Sequence, residues 1–190
     1  YPPRPSSPYA ISKLISEHYL NFYKNQYGID FTVLRYANIY GPRQIPHGEA
    51  GVVSIFMEKL LRGEIPTVYF HNGELKGMTR DYCYVEDAVR ANLLAIEKGS
   101  GEIFNIGTGT GTVTMELYRN ILNLMRSSGY AKESVYDKPH KGPARPGDIR
   151  KSCVDIRKAE NLFGWRSEYD LSSGLGKTLN WLLGVWANEK

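Results

Sequence analysis

The sequence has little with which to build a disulfide-stapled, metal-centred or membrane-spanning protein. Its 190 residues include two cysteines and four histidines. Cys83 and Cys153 both sit in apolar or strand-like settings without metal-ligand spacing. Both are expected to be reduced core residues of a cytosolic protein. His18, His47, His71 and His140 have no H-E-x-x-H or C-x-x-C company, which argues against a metal site. The apolar runs fall far short of the roughly 18 residues a membrane span needs. No basic-then-apolar leader opens the chain, which starts Tyr-Pro-Pro-Arg-Pro without an initiator Met. That opening reads as a cut through a longer protein, and a cytoplasmic location is expected. Excess charge is also small: 24 Lys+Arg against 20 Asp+Glu leave a formal net charge of +4. With no basic stripe, this balance suits a small anionic ligand better than a nucleic-acid groove.

What is present is ordinary for a globular protein, at 42% hydrophobic and 23% charged residues. The length allows one good core or a domain and a half. Residues 8–27 read as a helix, with Ser7 as N-cap, Pro8 as first helical residue and Gly28 just past the end. Its apolar positions form two stripes, one of Ile11, Ile15, Tyr19 and Phe22, the other of Ala10, Leu14 and Leu20. Such a helix is expected to bury two sides, one against its own sheet and one against a partner chain. A strand is predicted over 31–35, a Gly/Pro-rich loop over 38–51, and a helix over 52–62 closed by Gly63. Short strands at 68–70 and 81–84 flank an Asn72-Gly73 turn. A helix over 86–98, a strand over 103–106 and a helix over 114–125 follow. After a polar connection (126–152), Asp155 caps a short helix that stops at Gly164, and a last helix covers about 172–187. Strands alternating with helices predict an α/β architecture.

The chemistry-bearing feature is Tyr9-Ala10-Ile11-Ser12-Lys13, whose four-residue spacing puts phenol and ammonium on one helical face. A phenol titrating near 10 is a poor base at neutral pH. Moving it by about three units takes about 4 kcal/mol. One positive charge at about 4 Å, with an effective dielectric near 20, supplies roughly that amount. The pair can thus make a base for a sugar hydroxyl while hydride leaves the same carbon. Ordinary helices also carry Tyr and Lys at this spacing. The Gly107–Thr112 run follows a strand and precedes a helix, as a dinucleotide loop does. Its glycines are spaced G-x-G-x-G rather than G-x-G-x-x-G, and no acidic strand end follows about 20 residues on. A tight strand-to-helix turn is the expected role.

Several motifs occur together in register: Tyr9-x-x-x-Lys13; Leu34-Arg-Tyr-Ala-Asn-Ile-Tyr-Gly-Pro-Arg-Gln44; Gly48-Glu-Ala-Gly-Val-Val53; Thr79-Arg-Asp-Tyr82; Phe104-Asn-Ile-Gly-Thr-Gly109; and Arg145-Pro-Gly-Asp148. On these, nearly the whole chain resembles the extended short-chain dehydrogenase/reductase family, and within it the NAD-dependent UDP-glucose 4-epimerases. The resemblance implies the C-terminal part of a Rossmann-like NAD(P)-binding fold plus a small mixed α/β substrate region. Residues 1–40 and about 79–107 would belong to the former, 41–78 and 108–190 mainly to the latter. It implies NAD as cofactor, a nucleotide sugar as substrate, and a homodimer, with no nucleic acid or membrane partner. Tyr9 would be the catalytic base and acid, and Lys13 would hold the nicotinamide ribose and assist Tyr9. Tyr36 and the backbone of Ala37 would lie near the nicotinamide. Asn38, Arg80 and Arg145 would bind the diphosphate, and Asp148 would accept from ribose hydroxyls. Val52, Val68, Tyr69 and Phe70 would line the nucleotide pocket. The implied reaction is oxidation at C4, rotation of the ketosugar and return of hydride. A 4,6-dehydratase or decarboxylase of the same family, or a binding module without catalysis, stays open.

The residues also admit plainer readings. Asn38 before Gly-Pro suits an Asx turn, Arg80-Asp81 a local salt bridge worth under about 1 kcal/mol, and Arg-Pro-Gly-Asp a simple turn. Tyr69 and Phe70 suit a core, and Arg35 and Arg43 suit surface ion pairs. Two departures stand out. The family's strand–glycine-loop–helix unit and its assisting Ser or Thr are absent from this sequence. The stretch from Asn72 to Arg80 is also a few residues longer than the family's usual spacing. It lies near where the base would bind, which leaves the base open.

Overall fold

The computed structural model describes residues 3–45 and 51–188. Of the residues discussed above, His47 and the Gly48-Glu49-Ala50 part of one motif lie outside the described residues. Helix α1 (Pro8–Tyr27) begins as expected: Ser7 Oγ accepts the Ala10 amide at 3.1 Å, and Gly28 ends the helix at φ 68°. The stripe Ala10, Leu14, Glu17, Leu20 and Lys24 is half-buried towards the sheet, while Ile11, Ile15, Tyr19 and Phe22 are exposed. Both stripes are therefore real, and within this chain one of them is covered. A two-pronged bond from Arg35 to Glu17, at 2.7 and 2.5 Å, ties α1 to the sheet.

The remaining elements in chain order are β1 (Thr32–Tyr36), β2 (Asn38–Tyr40), α2 (Val52–Leu61), β3 (Thr67–Phe70) and β4 (Thr79–Tyr84). They continue with α3 (Val85–Glu97), β5 (Glu102–Ile106), β6 (Gly111–Val113), α4 (Thr114–Ser127), β7 (His140–Pro143), β8 (Lys151–Ser152) and α5 (Leu171–Asn188). Strand β1 pairs parallel with β5, and β3 with β7. Strand β4 is the hub: its second half pairs parallel with β2, its first half antiparallel with β6 and parallel with β8.

Four expectations are corrected here. The loop over 38–51 contains β2, which a Gly/Pro-rich neighbourhood hides and which forms because Tyr82–Tyr84 offers a parallel edge. Strands β3 and β4 do not form a hairpin about Asn72-Gly73; each takes parallel partners distant in sequence, which a local turn signal cannot report. The polar connection 126–152 holds a 3₁₀ turn (Ser134–Asp137) and strands β7 and β8. Cys153, expected in the core, is exposed just past two-residue β8, whereas Cys83 is fully buried and burial pushes its thiol up to about 12.

Two apolar clusters hold the chain. The larger joins Tyr40, Val53, Phe56, Met57, Val68, Tyr82, Leu117, Tyr118, Ile121 and Leu175 from α2, α4, α5 and the strands between them. The smaller joins Cys83, Ala91, Phe104, Ile106, Ala159, Phe163 and Trp165 under β5 and α3. The segment around 159–165, a short π-helical stretch ended by Gly164 at φ 71°, thus packs on the β1–β5 side of the molecule. Asp155 Oδ1 caps its approach by accepting the Arg157 amide at 3.0 Å. Buried Asp87 of α3 accepts the amides of Glu168 and Tyr169 at 2.9 and 3.2 Å and pairs with Arg90, so the chain is held where it turns into α5. Among the described residues no helix is long and apolar enough to cross a membrane.

Candidate active site

The carboxyl ends of parallel β1 and β5 define one end of the site, the position at which open α/β sheets receive ligands. The Ala37 amide continues the β1–β5 pairing by donating to the Ile106 carbonyl at 2.8 Å, and Asn38 then opens β2 opposite Tyr82. Packing is close there: a Cβ on Gly107 would meet Ala37 Cβ at 2.9 Å and Asp81 Oδ2 at 2.6 Å. The strand ends therefore need small residues. Tyr9 and Lys13 stand one turn apart at the start of α1. Lys13 Nζ lies 5.3 Å from the centre of the Tyr9 ring, and Tyr9 is 72% exposed. The ammonium thus sits over the phenol's π face.

Tyr36 is not brought to this pair. Arg35 points to α1, so its neighbour Tyr36 points to the opposite face, where its hydroxyl donates to Asn92 Oδ1 of α3 at 2.9 Å. Burial raises the Tyr36 phenol above its usual range, against the pull of that hydrogen bond.

Four of the expected diphosphate and nucleotide residues, Tyr69, Arg80, Arg145 and Asp148, gather around one loop, while Asn38 stands on β2 beside Tyr82. Strand β7 runs beside β3, and beyond it the Arg145–Asp148 turn closes through the Asp148 amide on the Arg145 carbonyl (3.0 Å). The Arg145 amide returns a bond to Asp148 Oδ2 (2.8 Å). Gly147 occupies a φ of 88°, which the turn requires at its third position. The Arg145 guanidinium lies 5.3 Å above the Tyr69 ring. One residue past the turn, the Ile149 carbonyl accepts from Arg80 Nη1 at 2.6 Å, and the Thr79 carbonyl accepts from the same atom at 2.9 Å. Arg80, Tyr69, Arg145 and Asp148 thus share one wall. Asp148 uses its carboxylate in the turn, as the plainer reading expects. Val68 is fully buried, and Phe70 packs on the same core beside half-buried Val52, leaving Tyr69 as the exposed member of β3. Burial pushes the Tyr82 phenol up to about 12, with Arg80 and Thr114 pulling it down.

The residue that the motif reading passed over is Asp81. It is 1% exposed, and its carboxylate accepts the Thr108 amide (2.8 Å), the Thr108 hydroxyl (2.6 Å) and the Gly109 amide (3.0 Å). No salt bridge to Arg80 forms, because neighbours on a strand face opposite ways. Two amides of the Gly107–Thr112 turn, those of Thr108 and Gly109, thus point at an internal carboxylate, the arrangement of a structural turn. The signal was available: an acidic residue beside Tyr82-Cys83-Tyr84 sits in a stretch otherwise fit for burial, and a buried carboxylate needs donors.

These side chains suit half of a dinucleotide site. A phenol and an ammonium at one helix start are donors of the kind a ribose and a carbonyl can use. In the glycine-rich turn the Thr108 and Gly109 amides are taken by Asp81 and the Thr110 amide by Thr108 Oγ1, so none of these three is left for a pyrophosphate.

Among known proteins, the chain is similar to UDP-glucose 4-epimerases. UDP-glucose 4-epimerase from Mycolicibacterium smegmatis is 41% identical over 179 residues, covering 94% of this chain and 53% of the relative. The solved UDP-glucose 4-epimerase of Thermotoga maritima with UDP-glucose matches at a TM-score of 0.86 and 48% identity, over 97% of this chain and 56% of that one. The UDP-glucose 4-epimerase of Thermus thermophilus in complex with NAD gives 0.85 and 40% over the same shares. The chain spans about half the length of the curated relatives it matches. Residues 1–107, more than half of the chain, match a single family, and the chain accordingly belongs to the NAD dependent epimerase/dehydratase family.

Proposed function

We propose that this chain supplies the catalytic Tyr–Lys pair and the nucleotide-sugar wall of an NAD-dependent 4-epimerase acting on a UDP-hexose. The observation that carries the reading is Tyr9 beside Lys13 on an open face at the start of α1. The 40–48% identity with UDP-glucose 4-epimerases supports it further. NAD, when bound, would supply the acceptor and donor of hydride for C4. Tyr9 accepts the proton of the C4 hydroxyl and gives it back once the ketosugar has turned its other face. Lys13 keeps a positive charge beside the developing phenolate and offers a donor to the nicotinamide ribose, with the Ala37 backbone at the nicotinamide end. Arg80 and Arg145, with Asn38, hold the diphosphate, so the hexosyl group turns while the nucleotide stays in place. Tyr69 and the ends of β3 line the base and ribose, and Asp148, whose Oδ2 is held in its turn, would accept from a ribose hydroxyl.

In this division the β1–β5 side with α1 and α3 belongs to cofactor binding, and the remainder mainly to the nucleotide sugar. The test is the product formed from UDP-glucose by the full-length enzyme supplied with NAD. UDP-galactose is expected; a 4-keto-6-deoxy sugar would assign the dehydratase reaction instead, and no product at all would leave the family's binding role alone.

The exposed stripe of α1 supports a homodimer built on that helix. Ile11 and Ile15 are each 46% exposed, and beyond them Phe22 and Tyr23 form an edge-to-face aromatic pair at 5.5 Å. Ile15→Glu combined with Phe22→Glu is expected to convert the full-length enzyme to monomers in sedimentation velocity. Persistence of the dimer would move the interface elsewhere.

A further inference from the structure

The nucleotide wall holds one polar atom with nothing to bond. His71 follows β3 directly, two residues beyond Tyr69, and by strand alternation projects to the same side. Its Nε2 is shielded from solvent and has no hydrogen-bond partner among the described residues. Polar atoms in this position are nearly always satisfied in native proteins, so an unpartnered one calls for a group that arrives from outside. Across from Tyr69, Gly142 of β7 has no side chain and leaves its place to the Tyr69 ring, which a Cβ there would meet at 2.8 Å.

The turn after His71 is the stretch that is longer than the family spacing. It closes through the Glu74 amide on the His71 carbonyl at 3.0 Å, and Glu74 pairs with Arg150 at 2.5 Å. Gly77, at φ 76°, lies against Thr114 and the Tyr69 carbonyl. In the chain His71 thus lies between Tyr69, whose ring carries Arg145, and an anchored turn. Charged oxygens of a diphosphate have two guanidinium groups to meet, and the hexose has Tyr9. The group left for a single imidazole nitrogen is the edge of the base.

We propose that His71 is a specificity-determining residue that donates a hydrogen bond from Nε2 to a ring carbonyl of the nucleotide base. It selects uridine over cytidine nucleotides, whose corresponding position carries an amine. The proposal rests on the nucleotide-sugar reading of the site. Nε2 then carries the proton that is donated. Its shielding before the base arrives means that a neighbouring group must give way as the base enters.

Calorimetric titration of UDP, CDP and inorganic pyrophosphate into the full-length enzyme, with the variants His71→Phe and His71→Gln, tests it. The wild type is expected to bind UDP at least about tenfold more tightly than CDP, in the range a base-edge hydrogen bond gives. His71→Phe should bring UDP down to the CDP level with pyrophosphate affinity unchanged. His71→Gln, whose amide nitrogen reaches the place of Nε2, should keep most of the preference. The imidazole ¹⁵N signal of His71 should shift with UDP and stay put with pyrophosphate. An unchanged UDP-to-CDP ratio in His71→Phe, or a wild-type preference for CDP, overturns the role of His71 alone. Failure of the wild type to bind either nucleotide overturns the nucleotide-sugar reading and this inference with it.

Discussion

Replacing Tyr9 by Phe is expected to slow turnover of the full-length enzyme by about 10²–10⁴-fold, the usual loss when a general acid–base group is removed. One hydroxyl on an exposed ring is lost, and the backbone of α1 is untouched, so folding and ligand affinity should barely change. The effect should therefore fall on kcat, with KM for the nucleotide sugar within about a factor of two or three. Lys13→Met should also lower kcat and, in addition, move the pH optimum upward. The charge beside the developing phenolate is gone, so more alkaline solution is needed to make the base. Steady-state kinetics across a pH series separates the two variants: a fall in kcat at every pH for the first, an alkaline displacement for the second. Near-wild-type turnover of Tyr9→Phe at neutral pH would remove Tyr9 from the mechanism.

The second large effect is on stability. Asp81→Ala should destabilise the protein by about 3 kcal/mol, because hydrogen bonds to a charged group are worth about 1.5–3 kcal/mol and removing the acceptor strands its donors. Those donors are the amides of Thr108 and Gly109 and the Thr108 hydroxyl, all within 3.0 Å of the carboxylate. A loss of that size corresponds to a fall in Tm of about 6–12 °C for a chain of this length. Asp81→Asn should fall between the two, since its oxygen can serve Thr108 while its amino group faces the Gly109 amide. Urea or thermal melts measure both variants. A change below about 1 kcal/mol for Asp81→Ala would mean that the 107–110 turn holds its shape by other contacts.

Local patterns carried much of this molecule. Helix α1 could be read to the residue, since Ser7, Pro8 and Gly28 act within one turn of the chain and each has a short-range physical cause. The two apolar stripes of α1 were legible for the same reason: helical periodicity depends on near neighbours. So was the Arg145–Asp148 turn, whose proline and glycine supply the required dihedral angles. The candidate catalytic pair belongs here too, because four residues on a helix decide that Tyr9 and Lys13 share a face.

What joins distant parts of the chain was decided only by the tertiary structure. Parallel pairing is set by crossover geometry, so neither the β3–β7 match nor the place of β2 beside β4 could be read from a turn signal. The same holds for Tyr36, whose direction follows from where α1 and α3 settle on the two faces of β1. Asp81 was visible as an acidic residue in an apolar strand, yet its partners lie 27 and 28 positions on and meet it only when β4 packs beside the end of β5. His71 read as an unremarked histidine until the extended turn shut its Nε2 away from water and from every described partner. The amino-acid sequence by itself determined the helices, the caps of α1 and the residue types available for chemistry, because those rest on short-range sterics and periodicity. Which of these residues stand together, and which polar atoms are left wanting a ligand, depended on long-range packing, where burial and hydrogen-bond satisfaction are settled across the whole chain at once.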